Sequence, residues 1–413
     1  MDDLRAALAP FDPDAPLTPA PEPWDYLPTP AARDAAPWAM AEMIAAEPAA
    51  AVRIARRLAA DGSAAALAAL VREAAGGGGP VIVTGCGTSE HAAMGVAEIL
   101  RDAWRDAGLP GWGPVSAQAF ELELEPPRGG LVIGVSHEGG TGATIAALRE
   151  ARARGVRTAA ITGSAHSPIG AAADVILETV EMDRSWCHTI GYLSPLVAAA
   201  TVAELLAGRA PAPGSSGARV REGIDAAWTA ALDGSRDADR MGAGIARAAH
   251  LLVVASGVDR VAARELVLKI EEAAWVPSAA RDLETFLHGH LPATGERTAL
   301  VVILTERGAL DRRATRVRQA LAAANAVGIA CGAILSASAA ALVPAALTET
   351  LGRIVVPDGD DLAAAASSLL GTAAPLQLVT LQVSAHRGTN PDPIRRDDPV
   401  YLRAAELADD PAI

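Results

Sequence analysis

Lysine is almost missing from this chain of 413 residues: Lys269 alone stands against 34 arginines. A chain that writes Arg wherever a surface cation serves makes its one lysine informative. An ammonium is compact and can give up its proton when buried, whereas a guanidinium stays charged. Aromatic residues are also scarce, at 3%, so the cores must be built from Ala, Val, Leu and Ile. The three cysteines, Cys86, Cys187 and Cys331, are far apart and odd in number, which excludes a disulfide framework and the paired spacing of a zinc module. Positive charge is in deficit too: a net charge of -14 excludes the broad basic face that nucleic-acid binding needs. No apolar run reaches the roughly 18 residues of a membrane span. The nearest approach, Ala320 to Leu347, is broken by Asn325, Gly328, Gly332, Ser336, Ser338 and Pro344 and reads as helix, buried strand and loop. The opening MDDLRAALAPFDPDAP is acidic and proline-rich where a signal peptide needs a basic start and an apolar run. A cytoplasmic protein without membrane or nucleic-acid partners is expected.

What is present is an alternation. Residues 1–37 are Pro-, Asp- and Ala-rich without hydrophobic period, and read as an extended arm that is loosely ordered or wraps a neighbour. Two amphipathic helices follow, over Met40 to Ala60 and Ser63 to Ala75, the second closed by Gly76 to Gly79. Short Val/Ile runs (Pro80–Gly85, Gly130–Ser136, Arg157–Gly163, Asp174–Thr179) then alternate with longer Ala/Leu helical segments. That is the pattern of a parallel sheet covered on both faces. AGRAPAPGSSG, residues 207–217, reads as an interdomain linker. Beyond it the pattern resumes with HLLVVASG at 250–257, ALVVILT at 299–305 and GIACGAIL at 328–335. About fifty positions separate Val81 from Leu131 and Leu251 from Val301 alike, so the α/β unit is duplicated. The expected organisation is an arm (1–37), a first α/β domain with leading helices (38–208), a linker and bridging helix (209–240), and a second domain with a C-terminal tail (241–413).

Three stretches carry chemistry. Glu265, Lys269 and Glu272 are spaced i, i+4, i+7 and share one helix face. They read either as ordinary surface ion pairs, worth about 0.2 to 0.5 kcal/mol each, or as a carboxylate, an amine and a second carboxylate lining one groove. In the first half, Thr84-Gly85-Cys86-Gly87-Thr88-Ser89 lies between a strand and a helix. There outward-facing amides, the helix terminus and the two hydroxyls suit an anion. Without the Lys of the Gly-X4-Gly-Lys pattern it is no nucleotide P-loop. A second such loop, Ser136-His137-Glu138-Gly139-Gly140-Thr141, follows the next strand, and two loops at the carboxyl ends of adjacent parallel strands share a crevice.

The order of these motifs, strand-CGTS-helix, Ser-X-X-Gly-X-Thr, Lys-X-X-Glu, His-Gly (His288, Gly289), then PLQL and GTNPD (375–378 and 388–392), resembles the double sugar isomerase (SIS) domain family. The pattern is that of the isomerase half of glucosamine-6-phosphate synthase and of amino-sugar-phosphate deaminases. It covers roughly Ala39 to Ala404. The resemblance implies two tandem doubly wound α/β domains and a homodimer with its site near the subunit interface. It implies sugar-phosphate binding through Cys86, Gly87, Thr88, Ser89, Ser136, His137, Glu138, Gly139 and Thr141, with His188 and Thr189 lining the site from the 181–192 loop. Glu272 would be the base shuttling a proton between C1 and C2 through an enediol. Lys269 would assist at a sugar hydroxyl, and His288, often the partner subunit's in this family, would open the ring. Elementary chemistry asks for the same parts: a carboxylate for the proton transfer and a separate acid/base group for the ring oxygen.

The departures narrow this. Residue 2 is Asp, where glutamine-dependent members place a cysteine nucleophile, so glutaminase activity is not expected. NPDPIRRDDPVYLRAA has no lysine for an imine. Isomerisation by proton transfer, or hydrolytic deamination, is what remains. Glu138 stands where the family usually has a third hydroxyl. A carboxylate about 4 Å from a phosphate costs roughly 4 kcal/mol per phosphate charge at a dielectric of 20. Either Glu138 caps the following helix, or the substrate is an unphosphorylated sugar or cyclitol. A non-catalytic sugar-phosphate sensor is the competing class. No cofactor is expected and no metal: His188, His288, His290 and Glu138 carry no ligand spacing.

Overall fold

The computed structural model describes residues 8–232, 237–359 and 361–408. Two helices lead, α1 (Ala39–Ala60) and α2 (Ser63–Gly76). The first unit runs β1 (Val81–Gly85), α3 (Thr88–Asp106), β2 (Val115–Gln118), β3 (Leu131–Ser136), α4 (Gly142–Ala153), β4 (Arg157–Thr162), β5 (Val175–Glu178) and α5 (Ile190–Leu206). Helices α6 (Pro213–Leu232) and α7 (Asp237–Arg247) lead into the second: β6 (His250–Ala255), α8 (Asp259–Ala274), β7 (Ser278–Asp282), β8 (Thr298–Leu304), α9 (Leu310–Ala326), β9 (Ala330–Ser336), β10 (Gly352–Val356), α10 (Ala364–Arg387) and α11 (Pro399–Ala408).

Each unit is a five-stranded parallel sheet, ordered β2-β1-β3-β4-β5 and β7-β6-β8-β9-β10. The two orders superpose strand for strand, so the duplication seen in the spacing is a duplication of topology. The central strands are the apolar runs of the sequence: β3 and β8 are buried at every position. Strands β2 and β5 edge the first sheet, and β7 and β10 the second. β2 is four residues long and mostly exposed, and β7 (SAARD) is half-exposed throughout, so neither shows the continuous apolar run that marks a buried strand.

One core spans both units, because α5 and α10 are buried on nearly all sides and tie them together. By length and apolar content α10 passes for a membrane helix, but 89% of its most apolar window is buried by packing, the situation of a core helix. The GTNPD segment locks this arrangement. Gly388 ends α10 in the left-handed conformation, the Thr389 hydroxyl donates to the Ala273 carbonyl at 2.7 Å, and both Asp392 carboxylate oxygens accept the first amides of α1, at 2.8 and 2.9 Å. A carboxylate on orphan N–H groups caps a helix start; here the cap comes from more than 350 residues away.

The supposed linker at 207–217 is irregular only as far as Ala212 and is helix from Pro213 on. Pro213 begins α6, where a missing N–H costs nothing. Gly217 lies so close to α1 that a Cβ would sit 2.5 Å from the Pro48 carbonyl oxygen. Tertiary packing therefore chose the small residues that read as linker composition. Two helices, not one, bridge the units.

Also buried between α1 and α10 is Glu47, which accepts a hydrogen bond from Gln377 at 2.8 Å. Burial, reinforced by Asp183 and opposed by Gln377, pushes its carboxyl well above the ordinary 4.5. The folded chain thus keeps a proton that the unfolded chain loses, so stability falls as pH rises above 4.5 toward the folded value. Glu47→Gln is expected to flatten this decline, seen as a shallower fall in melting temperature between about pH 5 and 8.

Candidate active site

The carboxyl end of the first sheet meets α8 of the second unit, and the sequence motifs converge there. Lys269 is fully buried. Its ammonium donates to Glu272 Oε2 at 2.5 Å and to Thr88 Oγ1 at 2.9 Å, and lies 3.6 Å from Glu265 Oε1. Glu265, also fully buried, meets His91 Nδ1 on α3 at 2.8 Å. The i, i+4, i+7 face is therefore a cross-domain charge cluster, not a solvated stripe. Burial alone would favour a neutral amine, yet Glu272 and Glu265 outweigh it and hold Lys269 above its ordinary value. The two carboxylates thus favour the ammonium form over the neutral amine that burial alone would allow. Of the three side chains only Glu272 reaches solvent, at 21% exposure. Lys269 and Thr88 stand behind it, so of the three side chains on this face of α8 the one open to a substrate is the Glu272 carboxyl.

The loop after β1 places Cys86, Gly87, Thr88 and Ser89 as the spacing required, with Thr88 turned to Lys269 and Ser89 nearly buried. Cys86 Sγ lies 3.6 Å from Thr144 Oγ1, and burial raises its thiol. In the loop after β3, the Ser136 hydroxyl accepts the Gly139 amide at 3.1 Å and lies 3.2 Å from Thr141 Oγ1. Gly139 is required at this turn: its φ is +84°, and a Cβ would meet Ser167 Oγ at 2.0 Å.

Glu138 caps no helix. Its Oε2 accepts the Leu27 amide at 3.2 Å, while the carbonyls of Glu138 and Gly140 accept Trp24 Nε1 and the Tyr26 hydroxyl at 2.9 and 3.2 Å. The N-terminal arm, read from composition as loose or wrapping a neighbour, thus runs over the second loop of its own chain. Residues 1–7 lie outside the described part. At the matching edge of the second sheet an open cleft of about 780 Å³ remains, lined by Ser256, Gly257, Arg260, Arg313 and Arg316 among others. It contains none of the residues the motifs single out.

Two expected site residues take other partners within this chain. Thr189 is fully buried and donates its hydroxyl to Asp183 Oδ1 at 3.2 Å. His288 is not brought to Glu272: its ring is 73% exposed on the loop before β8, 3.3 Å from Glu284. The residue that sequence reasoning missed is Asp183. Its carboxylate accepts the amides of Thr189, Ile190 and Gly191 at the start of α5 and stands between His137 and His188, at 3.4 and 3.3 Å. Burial would raise it, but the two histidines and the Gly191 amide hold it well below the carboxylate range. Burial lowers His137 to about 4 against the pull of Asp183. For His188 the same burial is outweighed by Asp183, and its value is raised. The available signal was an Asp five residues before a His ahead of an apolar helix.

Residues 127–207 match the SIS domain. The chain is 28% identical over 326 residues to the isomerizing glutamine–fructose-6-phosphate aminotransferase of Gloeobacter violaceus, covering 76% of this chain and 50% of that protein. The chain spans about half the length of the curated relatives it matches. Among solved structures, the C-terminal domain of glucosamine-fructose-6-phosphate aminotransferase from Francisella tularensis aligns with a TM-score of 0.71 at 19% identity, over 88% of this chain and 99% of that one. Tagatose-6-phosphate ketose/aldose isomerase from Escherichia coli aligns with 0.67 at 18%, over 89% and 97%. The two sheets of this chain form a tandem SIS-like fold.

Proposed function

We propose that this chain is a phosphosugar isomerase or amino-sugar-phosphate deaminase that moves a proton between C1 and C2 of its substrate. The observation that carries the reading is the Lys269–Glu272 pair beside Thr88. A carboxylate held at 2.5 Å by a buried ammonium is fixed in position, and of the acidic and basic groups on this face of α8 it alone is open to a ligand. Glu272 takes the proton from C2 and returns it to C1, or the reverse, through an enediol. Lys269 is a positioning residue: it orients Glu272 and, with its charge, favours the enediolate that forms in front of it. The SIS domain and the fold shared with a ketose/aldose isomerase support this reading, as does similarity to half of an isomerizing aminotransferase. His288 lies on an exposed loop, and in this reading it serves the site of a second copy as the ring-opening acid/base.

The phosphate is held by Ser89, Ser136 and Thr141 with the amides of the two loops. Glu138, tied to the arm through Leu27, is turned aside. A hexose 6-phosphate and its 2-amino analogue, assayed for ketose and for ammonium, distinguish isomerase from deaminase; neither product from either compound overturns the reading. Glu138→Gln deletes the charge and keeps an acceptor for Leu27. It is expected to raise kcat/KM for the phosphorylated sugar severalfold and leave that for the free sugar unchanged. Preference for the free sugar in both proteins contradicts phosphate recognition.

A further inference from the structure

We propose that His137, Asp183 and His188 form a binding site for one divalent transition-metal cation, zinc by preference, between the loop after β3 and the segment preceding α5. One nitrogen from each ring and one carboxylate oxygen lie within 4.8 Å of one another. The two nitrogen-to-oxygen distances, His137 Nε2 and His188 Nδ1 to Asp183 Oδ2, are 3.4 and 3.3 Å. Ligands bound at about 2.0 to 2.1 Å in a tetrahedron stand about 3.3 to 3.5 Å from each other. The pair of contacts therefore has the edge length of a coordination polyhedron.

The hydrogen-bond inventory points the same way. Asp183 Oδ1 is occupied by the Thr189 amide and hydroxyl and the Ile190 amide, whereas Oδ2 accepts only the Gly191 amide, at 2.7 Å. One lone pair of Oδ2 is left where the two imidazoles converge. His188 Nδ1, out of reach of solvent, faces Oδ2 at 3.3 Å and is satisfied by no other group. His137 Nε2 accepts the Asp183 amide at 3.1 Å, which fixes it as the unprotonated nitrogen, the form in which imidazole ligates. On binding, the cation takes over that lone pair from the amide. Two histidines and a carboxylate with a fourth position free are a donor set suited to zinc. Of the three residues only His188 is open to solvent, at 22%, so entry and the free position are on its side. A bound cation would pin the 136–141 loop to the 181–191 segment, and so hold Ser136 and Gly139 in place without touching Glu272.

The test uses the full chain, stripped by a chelator and titrated with cobalt(II), then with zinc. The expected result is one cobalt per chain with the visible bands of a four-coordinate ion, displaced by zinc, and a melting temperature that rises with zinc concentration as linkage requires. His188→Ala, folded as judged by circular dichroism, is expected to bind cobalt at least about 100-fold more weakly. Asp183→Asn keeps an acceptor for the α5 amides and is expected to lose the bands as well. Absence of bands in the unaltered chain, or equal binding by His188→Ala, overturns the site and leaves a hydrogen-bonded helix cap.

Discussion

Glu272→Gln is expected to reduce turnover of a phosphosugar about 100- to 10,000-fold, the loss typical of removing a positioned general base. The amide keeps an oxygen for Lys269, which now donates at 2.5 Å, and the side chain stays part-exposed, so the fold and substrate affinity should change little. The predicted signature is a fall in kcat with KM nearly constant, as for an interaction made in the transition state. A comparable fall in kcat/KM arising wholly from KM would make Glu272 a binding group instead. Glu265, fully buried behind Lys269, cannot substitute for it.

Lys269→Met should be the most damaging single change to stability. Methionine fills a similar volume, but it leaves Glu265 and Glu272 facing each other with the cation gone. Removing one partner of a buried ion pair costs about 3 to 5 kcal/mol, to be read from denaturant midpoints at pH 7. The cost should shrink in the double variant Lys269→Met with Glu265→Gln, which removes one uncompensated charge. Lys269→Arg separates the two roles: it restores the charge, yet a planar fork does not fit where the ammonium reaches Thr88 and Glu272 within 2.9 Å. Stability is therefore recovered in part while kcat stays low. Equal stability of Lys269→Met and the parent chain would place the ammonium outside any energetically significant pair.

Much of this is legible in the sequence. The buried strands announced themselves as Val/Ile runs, and the fifty-residue offset between halves foretold a repeated α/β unit, whose strand order only the fold reveals. Lys269 lies buried between the two carboxylates that the spacing placed on its helix face, whereas Thr88, contributed by another helix, is invisible in a linear spacing. The edge strands β2 and β7 escaped because exposed and half-exposed positions carry no apolar run, and the start of α6 because Gly217 is a packing choice against α1. Asp183 escaped for a deeper reason. Its neighbours in space are His137, forty-six positions away, and the first amides of α5, so only the folded chain reveals what it holds. The arm is a similar case: nothing in Trp24, Tyr26 or Leu27 names the loop they bind.

Proton NMR in D2O tests the central claim most directly, with the purified chain, a hexose 6-phosphate, and deuterium incorporation followed at C1 and C2. Exchange at C2 in the parent chain, lost in Glu272→Gln while the fold is retained, is the predicted result. Exchange that persists undiminished in Glu272→Gln would contradict it, and so would the absence of exchange with the phosphorylated sugar and its 2-amino analogue alike.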